Sequence, residues 1–149
     1  MTYEVSLEER AEQRVAVLRA QVSHDAIADF MGRAFGAVLA AIGGEAGVAG
    51  PPFARYEFAP EGFMIEAGFP VIDEVPAGSD VEVTSLPGGV VATLMHVGPY
   101  DELGGAYGFL EKWLTDHGYA PSGGPWESYL DGPEVERPRT LVSWPCQRV

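Results

Sequence analysis

Alternating, Val-rich residues 11–22, with Val15, Val17 and Leu18 near the middle, carry the period-two pattern of a half-buried strand. Ser23 then offers a helix N-cap, with Asp25 in the favourable first turn. Ile27, Met31, Ala34, Val38 and Ile42 recur at three- and four-residue spacing, which predicts a helix with one apolar stripe stopped by Gly43 and Gly44. A Gly- and Pro-rich loop over 43–52 leads to two short aromatic runs, 52–58 and 62–69. The turn residues Ala59, Pro60, Glu61 and Gly62 lie between them, so the pair predicts a β-hairpin. A polar crossover over 71–79 is followed by a strand over 80–86, a Pro87-Gly88-Gly89 turn and a strand over 90–97.

The second helix opens at Gly98-Pro99-Tyr100-Asp101-Glu102, where proline suits the first turn and the acids suit the positive end of the dipole. Its stripe is Leu103, Tyr107, Leu110 and Leu114, and His117-Gly118 reads as its stop. Gly104, Gly105 and Gly108 cost this helix about 1 kcal/mol each relative to alanine. That cost points either to close approach of the helix backbone to the sheet or to a frayed first turn. After Gly123-Gly124-Pro125, strands over 126–130 and 139–144 enclose a loop at 131–136.

These two stretches are one pattern written twice. Val15-Ala16-Val17-Leu18-Arg19 and the helix after it return 76 positions later as Val91-Ala92-Thr93-Leu94-Met95 and its helix. Pro52-Phe53 and Tyr56 are echoed by Pro125-Trp126 and Tyr129, and Phe69-Pro70 by Trp144-Pro145. The repeat predicts an α+β fold of two duplicated β-α-β-β modules with two main helices. Two such modules related by a pseudo-two-fold leave a cleft where a small molecule can bind. A chain of 149 residues has room for one well-covered core, so a single domain over 1–149 is expected, with modules at about 11–70 and 80–149.

Charge narrows the partners. Nine Lys plus Arg stand against twenty-two Asp plus Glu, for a net charge of −13, which opposes binding to a phosphate backbone and concentrates cations, aromatic ones included. No nucleic acid is expected as a direct partner. The single Cys146 allows no intrachain disulfide, the N-terminus is acidic where an export signal is basic, and no apolar run approaches the roughly 18 residues of a spanning helix. A cytoplasmic location without membrane contact follows as the expectation.

Several chemistries find no residues to carry them. His24, His96 and His117 lie far apart without metal-ligand spacing, so each is read as a cap or surface residue and no metal is expected. There is no Gly-x-Ser-x-Gly elbow, Cys146 has no evident His partner, and phosphate-cradling glycine loops are missing. No cofactor is expected. Gly32 and Gly36 on the first helix read as a packing device.

One strand does carry a candidate. Residues two apart share a face, so Glu127 and Tyr129 point together while Trp126 and Ser128 point away. The equivalent strand of the first module offers Tyr56. An acid flanked by phenols suits an aromatic cation, the rings contributing about 0.5–2 kcal/mol each by cation–π attraction. The same pattern equally describes a solvated strand residue with tyrosines packed on a sheet surface.

Residues 80–145 resemble the GyrI-like small-molecule-binding domain, the effector-binding domain of AraC-type and MerR-type multidrug regulators. The resemblance rests on Val97-Gly98-Pro99-Tyr100-Asp101-Glu102-Leu103, on Trp113-Leu114 with His117-Gly118-Tyr119, and on Pro125-Trp126-Glu127-Ser128-Tyr129-Leu130-Asp131 with Pro133. It implies duplicated SHS2-type modules whose antiparallel sheets flank a central groove, with Glu127 reaching into that groove. Tyr56, Tyr129 and Tyr100 are then candidate walls, and Trp126, Phe53 and Trp144 further aromatic candidates. No helix-turn-helix segment precedes the domain, so a freestanding copy is expected, as monomer or homodimer.

Such a copy would bind small aromatic, often cationic, xenobiotics. Two alternatives come with the family: a hydrolase of cyclopropane-containing DNA-alkylating natural products, and a protein-interaction module contacting a partner such as DNA gyrase. In the hydrolase reading Glu127, its pKa raised in an aromatic, poorly hydrated groove, is general acid or base and Tyr129 positions water or substrate. Glu57 or Glu66 could supply a second acid by facing inward.

Overall fold

The computed structural model describes residues 3–59, 62–72, 75, 80–132 and 134–149. Its elements in chain order are β1 (Val5–Arg10), β2 (Gln13–Val22), α1 (Ile27–Ala41), β3 (Phe53–Ala59), β4 (Gly62–Pro70), β5 (Glu82–Leu86), β6 (Gly89–Val97), α2 (Leu103–Asp116), β7 (Tyr119–Pro121), β8 (Trp126–Tyr129) and β9 (Arg139–Arg148). This is the expected α+β chain with two main helices and antiparallel strands. Pro60 and Glu61 of the expected turn, and most of the crossover at 71–79, lie outside the described residues.

The chain divides into two compact units, residues 12–86 and residues 1–11 with 87–149. In the first, antiparallel strands run in the order β3, β4, β2, β5. In the second the order is β1, β6, β9, β8, with β7 on a further stretch of β9. Each unit therefore takes one strand from the other sequence repeat: β5 pairs with β2, and β1 with β6. The register obeys the repeat. Ser6↔Thr93 in one unit and Val17↔Glu82 in the other are the same pair under the 76-residue shift.

β1 was not legible as a strand, because Val5-Ser6-Leu7-Glu8-Glu9-Arg10 is mostly exposed. Pairing with β6 makes it one, and Tyr3 anchors it. The Tyr3 hydroxyl lies 2.9 Å from Nδ1 of His96, while Nε2 of His96 lies 3.0 Å from the Pro99 carbonyl. A carbonyl can only accept, so Nε2 carries a proton and donates to Pro99, and Nδ1 faces the Tyr3 hydroxyl. His96 is thus a buried strand clasp rather than the cap or surface residue expected. His117 does cap α2, bonding the Trp113 carbonyl at 2.8 Å. The side chain of His24 lies outside the described residues.

Helix entries also differ from expectation. Ser23 contributes its carbonyl to Ala26 N–H in a 3-10 turn over His24–Ala26, and α1 begins only at Ile27 without a side-chain cap. At the exit, Gly44 N–H bonds Leu39 O and Gly43 N–H bonds Ala40 O, with Gly43 at φ +82. This is a Schellman stop, which needs the left-handed residue that glycine supplies. The buried stripe of α1 is Phe30, Ala34 and Val38; that of α2 is Leu103, Ala106, Leu110 and Leu114. Tyr107 sits beside this second stripe, half-buried.

The glycines of α2 do not lie close to the sheet. A Cβ at Gly104, Gly105 or Gly108 would meet nothing within 4 Å, and the same holds for Gly32 and Gly36, so none of the five is a packing device. Gly105→Ala and Gly108→Ala should each add about 0.5–1 kcal/mol of stability, a Tm rise of about 2–4 °C, readable by thermal melting.

Across β2, β4 and β3 the register aligns Arg19, Glu66 and Arg55. Glu66 is 7% exposed; its Oε2 accepts from Arg19 Nη2 at 2.8 Å and its Oε1 from Arg55 Nε at 2.9 Å, with Arg55 Nη2 paired to the same oxygen at 2.7 Å. Burial alone would raise its pKa, but the two guanidinium hydrogen bonds outweigh burial and hold the carboxyl below the usual range. A depressed folded-state pKa contributes stability that is complete above the unfolded value, about 4.3, and is lost as pH falls through the folded value. Glu66→Gln should cost about 2–3 kcal/mol at neutral pH, less than for a fully buried pair because Arg19 is half-exposed. Denaturant titrations across the acid range should show a shallower acid limb in the variant.

Candidate functional site

β8 is four residues long, and its pleat decides what is presented. Trp126 faces the side of Ser143 and is 3% exposed; Glu127 and Tyr129 face the other side, opposite Val142 and Thr140 of β9. Val142 lies in the core cluster built with Leu103, Ala106, Leu110 and Leu114 of α2. Glu127 is therefore turned toward the helix, and it is 6% exposed.

Two phenols meet it there. The Tyr107 hydroxyl donates to Glu127 Oε2 at 2.6 Å, and the Tyr129 hydroxyl donates to Oε1 at 2.7 Å. The shared face of Glu127 and Tyr129 is as the strand alternation predicts. Tyr107 is the residue that sequence reasoning missed, having counted it in the apolar stripe of α2. The available signal was its hydroxyl: a phenol in an otherwise aliphatic stripe needs a polar partner once buried.

Further rings surround this core. Tyr100 meets Tyr129 edge-on with centroids 5.9 Å apart, and Trp144 meets Tyr107 edge-on at 6.1 Å. Each outer ring is tethered: the Tyr100 hydroxyl donates to the Asp131 carbonyl at 3.1 Å and Trp144 Nε1 donates to the Gly123 carbonyl at 3.1 Å. Burial, together with the negative charges of Glu134 and Asp131, pushes the Tyr100 phenol up, so it stays neutral over a wide pH range. Asp131 is clamped by Arg139, whose Nε and Nη2 reach its two oxygens at 2.8 and 3.2 Å; those hydrogen bonds hold the carboxyl below its usual range.

Glu127, Tyr129, Tyr100 and Trp144 are thus brought together with Tyr107, while Trp126 points to the opposite face of the sheet. Phe53 and Tyr56 belong to the other unit, Phe53 fully buried and Tyr56 half-buried opposite Ile65. Glu66 is taken up by its two arginines and Glu57 is exposed, so neither is poised as a second acid. Burial pushes the Cys146 thiol up, against a weaker lowering by a backbone hydrogen bond from Ala92, which keeps it protonated and inert. Among the described residues no group of three or more His, Cys, Asp or Glu could hold a metal ion. None of the described helices is long and apolar enough to cross a membrane.

Chemically, the arrangement offers an acceptor-only carboxylate set among aromatic rings, with phenol O–H groups on both oxygens. It can attract and orient a cation with an aromatic body.

Comparison with known proteins identifies the family and the fold. The model of the GyrI-like small molecule binding domain matches residues 3–145. No curated protein sequence matches the chain. Among solved structures, the EcmrR C-terminal domain superposes with a TM-score of 0.84 at 26% identity, covering 100% of both chains. The same protein in its DNA complex aligns with 99% of this chain, which spans 58% of that longer one. SAV2435 bound to tetraphenylphosphonium aligns at 0.68 and 15% identity, over 97% of this chain and 94% of that one. A hydrolase from Listeria innocua aligns at 0.69 and 14% identity, over 97% and 92%.

Proposed function

The chain belongs to the GyrI-like small-molecule-binding family, and from that premise we propose that it captures aromatic, cationic xenobiotics at Glu127. The observation that carries this reading is a buried carboxylate whose two oxygens accept the hydroxyls of Tyr107 and Tyr129, with the rings of Tyr100 and Trp144 packed against those two. The charge of the ligand is matched by the acid, at close range in a poorly hydrated setting where the attraction is strong. Its aromatic groups are matched by the rings, which contribute about 0.5–2 kcal/mol per cation–π contact. The net charge of −13 adds a long-range field that draws cations in. SAV2435, a protein of the same fold, is known bound to tetraphenylphosphonium, a ligand of this chemical class.

The test is a titration with tetraphenylphosphonium and with neutral triphenylphosphine oxide, followed by tryptophan emission and calorimetry. Saturable binding of the cation, with the neutral probe much weaker and both ligands recovered at unchanged mass, is the expected result. Equal affinities for the two probes, or no saturable binding of the cation, would overturn the reading.

A second reading draws on the short phenol–carboxylate bonds themselves. Glu127 flanked by two O–H donors could take a proton from water while a phenol gives one to carbon, breaking one ring C–C bond of a cyclopropane-containing alkylator. The hydroxyl goes to one carbon and the proton to the other. A product heavier by one water, formed by the wild type and not by Glu127→Gln, would favour this over capture alone.

A further inference from the structure

We propose that the hydroxyl of Thr140 is a second recognition point of the Glu127 site, reserved for a neutral hydrogen-bonding group on the same ligand. This rests on the reading of Glu127 as the cation-binding group and adds to it a class of substrate: aromatic cations bearing a hydroxyl, ether or carbonyl about one ring's length from the charge.

Thr140 is fully buried, and its Oγ1 has no hydrogen-bond partner among the described residues. It lies on β9 between His96 of β6 and Tyr129 of β8, directly opposite each, on the face that carries Glu127. Its polar neighbours are already engaged. Both ring nitrogens of His96 are used by Tyr3 and the Pro99 carbonyl, and the Tyr129 hydroxyl donates to Glu127.

A buried hydroxyl left unpaired is costly, and valine has nearly the same shape without that cost. Two positions along the same strand and on the same face, Val142 fills its place with no polar atom. A threonine at position 140 therefore calls for a partner that arrives from outside the chain. Ser143 also has an unpartnered, buried hydroxyl, but it faces the Trp126 side and has no part in this site.

Cross-strand geometry sets the ligand's dimensions. Glu127 and Thr140 are diagonal neighbours on paired antiparallel strands, a separation of about 7–8 Å. Tyr129 is two residues from Glu127 on the same face of β8 and directly opposite Thr140 on β9. A ligand cation taking over Oε1 of Glu127 releases the Tyr129 hydroxyl, and rotation of that ring opens the way to Thr140.

The probes are tetraphenylphosphonium and (4-(hydroxymethyl)phenyl)triphenylphosphonium, identical in charge and differing by one hydroxymethyl group. Wild type should bind the hydroxylated probe about five- to tenfold more tightly. Thr140→Val should erase that preference, the two probes then binding alike, and Thr140→Ser should retain it. An equal preference in wild type and Thr140→Val, or none in wild type, overturns the proposal while leaving capture at Glu127 intact. If Glu127→Gln binds tetraphenylphosphonium as wild type does, the underlying reading falls and this one with it.

Discussion

Glu127→Gln should weaken the binding of tetraphenylphosphonium by about ten- to a hundredfold, the loss of one charge-assisted contact worth about 1.5–3 kcal/mol. Affinity for triphenylphosphine oxide should change by less than about twofold, within the effect of a volume-conserving swap. Glutamine keeps the shape of glutamate, and its carbonyl still accepts from one phenol; its amide meets the other phenol oxygen as a donor. The rings of Tyr100, Tyr107, Tyr129 and Trp144 thus remain available for stacking, and only the charge is removed. Calorimetry on both probes, with near-ultraviolet circular dichroism to check that the aromatic cluster is preserved, decides it. Parallel losses for the cation and the neutral probe would mean that the site recognises shape and not charge.

Gly68→Ala should be strongly destabilising. Gly68 lies in β4 opposite Val17 of β2, and a Cβ there would collide with the Ala16 carbonyl oxygen and fall 2.9 Å from Val17 Cα. Every one of these neighbours is backbone, so no side chain can rotate away to make room. The strands must part within the longest ladder of this unit, which runs from Val15↔Pro70 to Val22↔Phe63. The expected loss is about 3 kcal/mol or more, a drop in Tm of about 10 °C, with hydrogen exchange accelerating first in β2 and β4. A melting temperature equal to wild type would show that the two strands have room the register does not suggest. The contrast with Gly108→Ala, expected to stabilise, separates a glycine that permits close approach from one that merely weakens a helix.

Much of the architecture was legible because it depends on local periodicity. The two helices, the hairpin of β3 and β4 and the strands β2, β6, β8 and β9 follow from hydrophobic spacing and turn residues, and the 76-residue repeat announced their duplication. The pairing of Glu127 with Tyr129 was legible for the same reason, since side chains two apart on a strand share a face. What escaped was what depends on partners far along the chain. β1 carries too few apolar residues to announce itself and becomes a strand only by hydrogen bonding to β6, nearly ninety residues away. The exchange of β1 and β5 between the repeats leaves no local trace, because a strand's sequence does not say which edge it will join. His96 looked like a surface histidine until Tyr3 and Pro99 were seen to occupy both its nitrogens.

By itself, then, the amino-acid sequence determined the fold class, the repeat and the acidic character, all properties of spacing and composition, while the family resemblance singled out Glu127 as the candidate acid. Only the tertiary structure decided that Tyr107 comes from α2 to close on Glu127, that Glu66 is bound to Arg19 and Arg55, and that Thr140 is left with an unpaired hydroxyl. The physical reason is common to all three. Hydrogen bonds and ion pairs form between side chains that packing brings within about 3 Å, and that proximity is set by helix-on-sheet packing and cross-strand register.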